Sequence, residues 1–214
     1  MDVVLLTTVL PYEHYTWQLK PGFVTNLFRG MGSYQIAWYL REHGYTVQVI
    51  DFIKYLKTDQ IISLLDKFIT PDTKMIGFSV LGLIEQDPWV FIKFQELLLK
   101  IRRKYPWVSI VGGGPTANRF EDGFSKGTFD WLIVGHAEDT MLSLTNHLVK
   151  GTTKPMFEKS PKGTRLIRET FSVPVEKKFN IQHSKHRWHD QDCIRQGEAL
   201  PLETTRGCIF KCKF

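Results

Sequence analysis

Cys208 and Cys212 are the residues whose type and spacing point most directly to chemistry. They sit in the stretch Thr204-Thr205-Arg206-Gly207-Cys208-Ile209-Phe210-Lys211-Cys212-Lys213-Phe214. Thiolates are soft ligands, and two of them on one short loop can share a metal centre. The pattern reads as the opening of a C-x-x-x-C-x-x-C iron–sulfur loop whose third cysteine would follow Phe214. Two thiolates do not hold a cubane cluster, which takes protein ligands at three or four irons. Spacing alone leaves half of a zinc site and a plain surface pair open. Cys193 lies off the motif and reads as an ordinary thiol.

Composition bounds what can position such a loop. A chain of 214 residues suits one domain plus an extension, and 43% hydrophobic with 13% aromatic residues supplies a core. Three cysteines argue against a disulfide scaffold. They place the chain in a reducing compartment, the cytoplasm. The N-terminal run Met1-Asp2-Val3-Val4-Leu5-Leu6 has no basic region or cleavage site, and no apolar stretch approaches a membrane span. The net charge of +6 gathers in the C-terminal part, at Lys159, Lys162, Arg165, Arg168, Lys177, Lys178, Lys185 and Arg187. Glu158, Glu169 and Glu176 interrupt it, and no nucleic-acid motif accompanies it. A solvated linker, or a face meeting a partner domain, is the expectation.

The first part of the chain alternates strand and helix. Met1 to Leu10 is a continuous apolar run, as in a strand buried on both faces. A loop from Pro11 to about Arg29 leads to a helix from Ser33, with Ile36, Ala37 and Leu40 on one side and Gly44 as its stop. Strands are expected at Val47–Ile50, Met75–Val80, Val108–Val111 and Trp131–Val134, and helices at 60–68, 88–103 and 139–149. Five strands separated by helices predict an α/β fold, a doubly wound five-stranded parallel sheet. Ligands of such sheets sit outside the carboxyl ends of the strands. Those ends fall at Leu10, at Ser79 to Gly82, at Gly112-Gly113-Gly114-Pro115 and at Gly135 to Glu138. Glycine there lets a ligand approach the backbone.

The C-terminal stretch from Leu200 through Arg206-Gly207-Cys208 and Cys212-Lys213-Phe214 resembles the radical S-adenosylmethionine superfamily. In that family three cysteines at this spacing hold a 4Fe-4S cluster, whose fourth iron takes S-adenosylmethionine. The resemblance implies that Cys208 and Cys212 are the first two ligands. The third would lie outside these 214 residues. Residues 1–151 resemble the flavodoxin-like cobalamin-binding domain that precedes the radical domain in one class of these enzymes. The features that carry this are Gly32 opening a helix, Gly44-Tyr45 to Ile50-Asp51, Ile76-Gly77-Phe78-Ser79, Val111 to Pro115, and Asp130 to Gly135 with Glu138. Two departures stand out. The family's Gly-x-Gly-Glu element is here Gly135-His136-Ala137-Glu138, and no Asp-x-His cobalt-ligand motif occurs.

Cofactor contacts are thereby implied for Leu10, Gly32, Ser33, Ser79, Gly82, Gly113, Gly114, Gly135 and Glu138. His14 reads as a solvent-facing loop residue, and His136, at a strand end, as the better site candidate of the two, without being a predicted cobalt ligand. Residues 152–198 read as a structured linker, in which His186, His189 and Asp190 make only a weak metal pattern. Residues 199–214 read as the first strand of a radical barrel. The implied cofactors are cobalamin, S-adenosylmethionine and the cluster. The implied partner is the remaining barrel, in cis or in trans, and the commonest implied reaction is methyl transfer. Alone, the 214 residues are expected to be inactive, because the few residues after Glu198 do not make an eight-unit barrel. A stand-alone ligand-binding module and one half of a split enzyme are the other two readings.

Overall fold

Val3 and Leu5 pack into one hydrophobic layer and Val4 and Leu6 into the other, as the two-residue period of a strand requires. This first strand, β1 (Val3–Leu6), is buried at every position and sits within a mainly parallel sheet. The computed structural model describes residues 1–7, 31–51, 53, 56–80, 88–114, 117, 128–161, 163–168 and 189–192. Within them the order is β1, α1 (Met31–Glu42), β2 (Val47–Ile50), α2 (Thr58–Phe68), β3 (Met75–Ser79), α3 (Pro88–Lys104), β4 (Ser109–Gly114), β5 (Trp131–Val134), α4 (Glu138–Lys150), β6 (Glu158–Lys159), β7 (Arg165–Arg168) and a 3-10 turn at Asp190–Asp192.

The strands lie in the order β2-β1-β3-β4-β5-β7-β6. All neighbours are parallel except β6 and β7. The chain moves outward from β1 to β2, then crosses back to β3, so the strand order reverses between β1 and β3. Tyr34, Ala37 and Leu40 of α1 share one layer with Met141 and Leu144 of α4. Ile61 and Leu65 of α2 share the other with Phe94, Leu97, Leu98 and Ile101 of α3. Each such buried side chain contributes about 1.5–3 kcal/mol by removal from water. Two helices stop where a glycine takes the left-handed conformation, at Gly44 (φ 84) and Gly151 (φ 67).

The expected five strands are therefore corrected to seven among the described residues. The two additions come from the segment read as a linker. In Arg165-Leu166-Ile167-Arg168 only the two central residues are apolar and buried, too short a run to stand out in sequence. Its place is set by the ladder to β5, and by the Arg165 guanidinium lying 4.8 Å from the centroid of the Trp131 ring. Helix α1 starts at Met31, ahead of the expected Ser33. The glycines expected to follow β4 belong to it, with Gly112 paired to Phe78 and Gly113 to Ser79.

Candidate functional site at the carboxyl ends of the strands

The carboxyl ends of β3, β4 and β5 bring four of the expected site residues into one neighbourhood. Ser79 and Gly113 are register partners, and the amide of Val80 donates to the Gly113 carbonyl at 3.0 Å. Gly114 pairs with Val134, the residue before Gly135. Gly114 (φ 135) and Gly135 (φ 103) both take left-handed backbone conformations that side-chain-bearing residues rarely adopt. Two adjacent strands thus turn away from the sheet on glycine. Among the described residues, a Cβ on Gly113 would meet only the Ile133 carbonyl, at 3.8 Å.

Glu138 opens α4 directly after β5, and Asp139 follows it. Two carboxylates in the first turn complement the helix dipole and disfavour a bound anion at this end. Asp139 also accepts a 2.6 Å hydrogen bond from the Tyr39 hydroxyl, which joins α4 to α1. Burial, then this bond and the charges of Asp139 and Glu138, push the Tyr39 hydroxyl up to about 12. His136, half-buried, lies between Gly135 and α4.

Gly32 and Ser33 lie in the first turn of α1, which contains no acidic residue. Gly32 is exposed, and among the described residues a Cβ there would meet nothing within 4 Å, whereas Ser33 is buried. Leu10, Gly82, His14, Cys208 and Cys212 lie outside the described residues. Among the described residues no cluster of three or more histidine, cysteine or acidic side chains is arranged to hold a metal.

Thr7 and Asp51 were not among the expected site residues. Thr7 ends β1, is fully buried, and donates its hydroxyl to the Asp51 carboxylate at the end of β2. Its amide donates to the Ile50 carbonyl at 3.1 Å. The available signal was a polar residue directly after each of the buried stretches Val3–Leu6 and Val47–Ile50. The described edge therefore carries Ser79, the strand-end glycines Gly113, Gly114 and Gly135, and the Thr7–Asp51 pair.

No family model and no curated protein matches the chain. Among solved structures it is similar to the radical S-adenosylmethionine methyltransferase TsrM from Kitasatospora setae, bound to its tryptophan substrate and the analogue aza-SAM. The match has 18% identity and a TM-score of 0.51, over 72% of this chain and 27% of that one. A second TsrM structure, with cobalamin and a 4Fe-4S cluster bound, matches at 16% identity and a TM-score of 0.49, over 71% of this chain and 25% of that one. The chain thus spans about a quarter of the enzyme it resembles. At this identity the likeness is one of fold: an α/β domain with a mostly parallel sheet.

Proposed function

We propose that this sheet domain binds cobalamin along the carboxyl ends of β1, β3, β4 and β5. In this reading the chain serves a radical S-adenosylmethionine enzyme that transfers a methyl group. The observation that carries it is the glycine-terminated edge at Ser79, Gly113, Gly114 and Gly135, in a domain followed along the chain by the Cys208 and Cys212 pair. The fold likeness to a radical S-adenosylmethionine methyltransferase supports the same reading.

The edge fits a large, amide-rich ligand. Among the described residues no side chain lies within 4 Å of a Cβ built on Gly113 or Gly32, which suits a broad ring system lying against the backbone. Cobalamin, when bound, carries a methyl group between donor and acceptor. The chain's residues bind and orient it. Ser79 offers a hydroxyl, Gly113 and Gly114 offer backbone, and Thr7 holds the Asp51 carboxylate in place as an acceptor. No Asp-x-His motif exists to supply a histidine to cobalt. Cys208 and Cys212 supply two cluster thiolates, and a third comes from outside these 214 residues.

Titration of the purified chain with hydroxocobalamin, followed by its visible spectrum and equilibrium dialysis, tests this. Saturable binding of one cobalamin per chain is expected, weakened about tenfold by Gly113→Val, a change of about 1.4 kcal/mol. Absence of saturable binding overturns the reading. Iron and sulfide added to the chain alone are expected to yield no 4Fe-4S signal and no reductive cleavage of S-adenosylmethionine.

A further inference from the structure

Arg41 and Asp192 are separated by 151 residues and form a two-pronged ion pair. Arg41 Nη1 donates to Asp192 Oδ2 at 3.1 Å, and Nη2 donates to Oδ1 at 3.0 Å. The Asp192 side chain is 2% exposed and that of Arg41 13%. The guanidinium also donates to the Val47 carbonyl, at 3.2 and 2.8 Å, so it is fixed at the start of β2. Asp192 Oδ2 accepts the His189 amide at 2.8 Å, and the Asp192 amide donates to the His189 carbonyl at 2.8 Å. The turn is therefore closed on itself and locked to the sheet by the same carboxylate. Two parallel hydrogen bonds between planar charged groups fix orientation as well as distance.

The position of this pair is informative. β7 lies toward one side of the sheet and β2 forms the opposite edge. Five strand spacings separate them, about 24 Å. Arg168 ends β7 at the carboxyl side of the parallel strands, whereas Arg41 and Val47 lie at the amino end of β2. Asp192, 24 residues after Arg168, is thus held at the amino end of β2, on the far side of the sheet from β7.

We propose that the Arg41–Asp192 pair is a positioning clamp. It fixes the point at the amino end of β2 from which the segment bearing Cys208 and Cys212 departs. Cys208 follows Asp192 by 16 residues but follows Arg168 by 40. Fully extended, those lengths reach about 56 and about 140 Å. The clamp thus cuts the span open to the cysteine pair by more than half. Its value for catalysis rests on the cluster role proposed for those cysteines, but the clamp itself can be measured without any cofactor.

The test uses the full chain carrying Cys193→Ser, Cys208→Ser and, on the exposed side of α3, Glu96→Cys. Nitroxide labels go on the introduced cysteine and on Cys212, and pulsed electron resonance gives the distance distribution. Glu96 is 53% exposed and pairs with Lys93 at the surface, so its replacement leaves the core intact. A distribution at least twofold narrower in this parent than in its Asp192→Asn and Arg41→Met derivatives is expected. Asp192→Asn leaves α1 and β2 untouched, so a folding defect of Arg41→Met does not decide the outcome. Equal widths in parent and Asp192→Asn overturn the clamp. Failure to bind cobalamin with a narrow parent distribution would overturn the proposed function and leave the clamp standing.

Discussion

Gly112 and Leu132 are register partners on adjacent strands, and a Cβ on Gly112 would lie 2.7 Å from Leu132 Cδ2. It would also lie 3.0 Å from Phe129 Cε1. The three glycines that end β4 thus serve different purposes. Gly112 leaves space for two buried side chains, Gly113 faces no side chain within 4 Å among the described residues, and Gly114 turns the chain at φ 135.

Gly112→Ala is expected to destabilise the domain by about 1–3 kcal/mol through overpacking. Gly113→Ala, whose nearest neighbour is a carbonyl at 3.8 Å, is expected to be nearly neutral. Urea unfolding of the two variants beside the parent checks the contrast. Equal losses would contradict the packing difference.

Phe94 anchors α3. It is fully buried, with its ring edge-on to Phe78 at 5.4 Å and tilted to Phe129 at 6.0 Å. Phe94→Ala is expected to cost about 3–5 kcal/mol, from lost burial and the cavity left behind. A loss below about 1 kcal/mol by thermal or urea unfolding would show that α3 is not held there.

Stability should decline in strong alkali, in part through Tyr39. Its folded value of about 12 lies above the ordinary 10.0. The unfolded chain therefore loses this proton first as pH rises. The contribution is complete below pH 10.0 and is lost toward about 12. Tyr39→Phe is expected to flatten this part of the profile, modestly, because the pair is partly solvated. Unfolding midpoints of the variant and parent across that range decide it. Tyr105, whose hydroxyl is raised by burial and then by Asp66, adds loss of the same sign and stays in both proteins.

The acid limb has its own marker. Hydrogen bonds from Lys104 at 2.6 Å and from Tyr105 at 2.7 Å hold the Asp66 carboxyl below its ordinary 3.8. The contribution is present above pH 3.8 and is lost as pH falls through the lower folded value. Lys104→Met should therefore reduce the acid dependence of stability. An acid limb identical to the parent's would show that this exposed pair adds nothing measurable.

Much of this protein was determined along the chain itself. The apolar runs Val3–Leu6 and Trp131–Val134 fit strands buried on both faces, and the spacing of Ile61, Leu65 and Phe68 fits a helix against them. Glycine at the ends of β4 and β5 already pointed to one sheet edge. The spacing of Cys208 and Cys212 pointed to a shared metal centre, because ligand geometry on a short loop is local.

Tertiary structure decided what depends on residues distant in sequence. Leu166 and Ile167 are too few to announce a strand, and they become one only beside β5. The pairing of Thr7 with Asp51 requires β1 and β2 to lie side by side. Arg41 meets Asp192 across 151 residues, and neither carries a local pattern that names the other. Local spacing encodes the period of an element and the ligands on one loop. Which elements become neighbours, and which buried charges find partners, is fixed only when the whole sheet closes around its two layers.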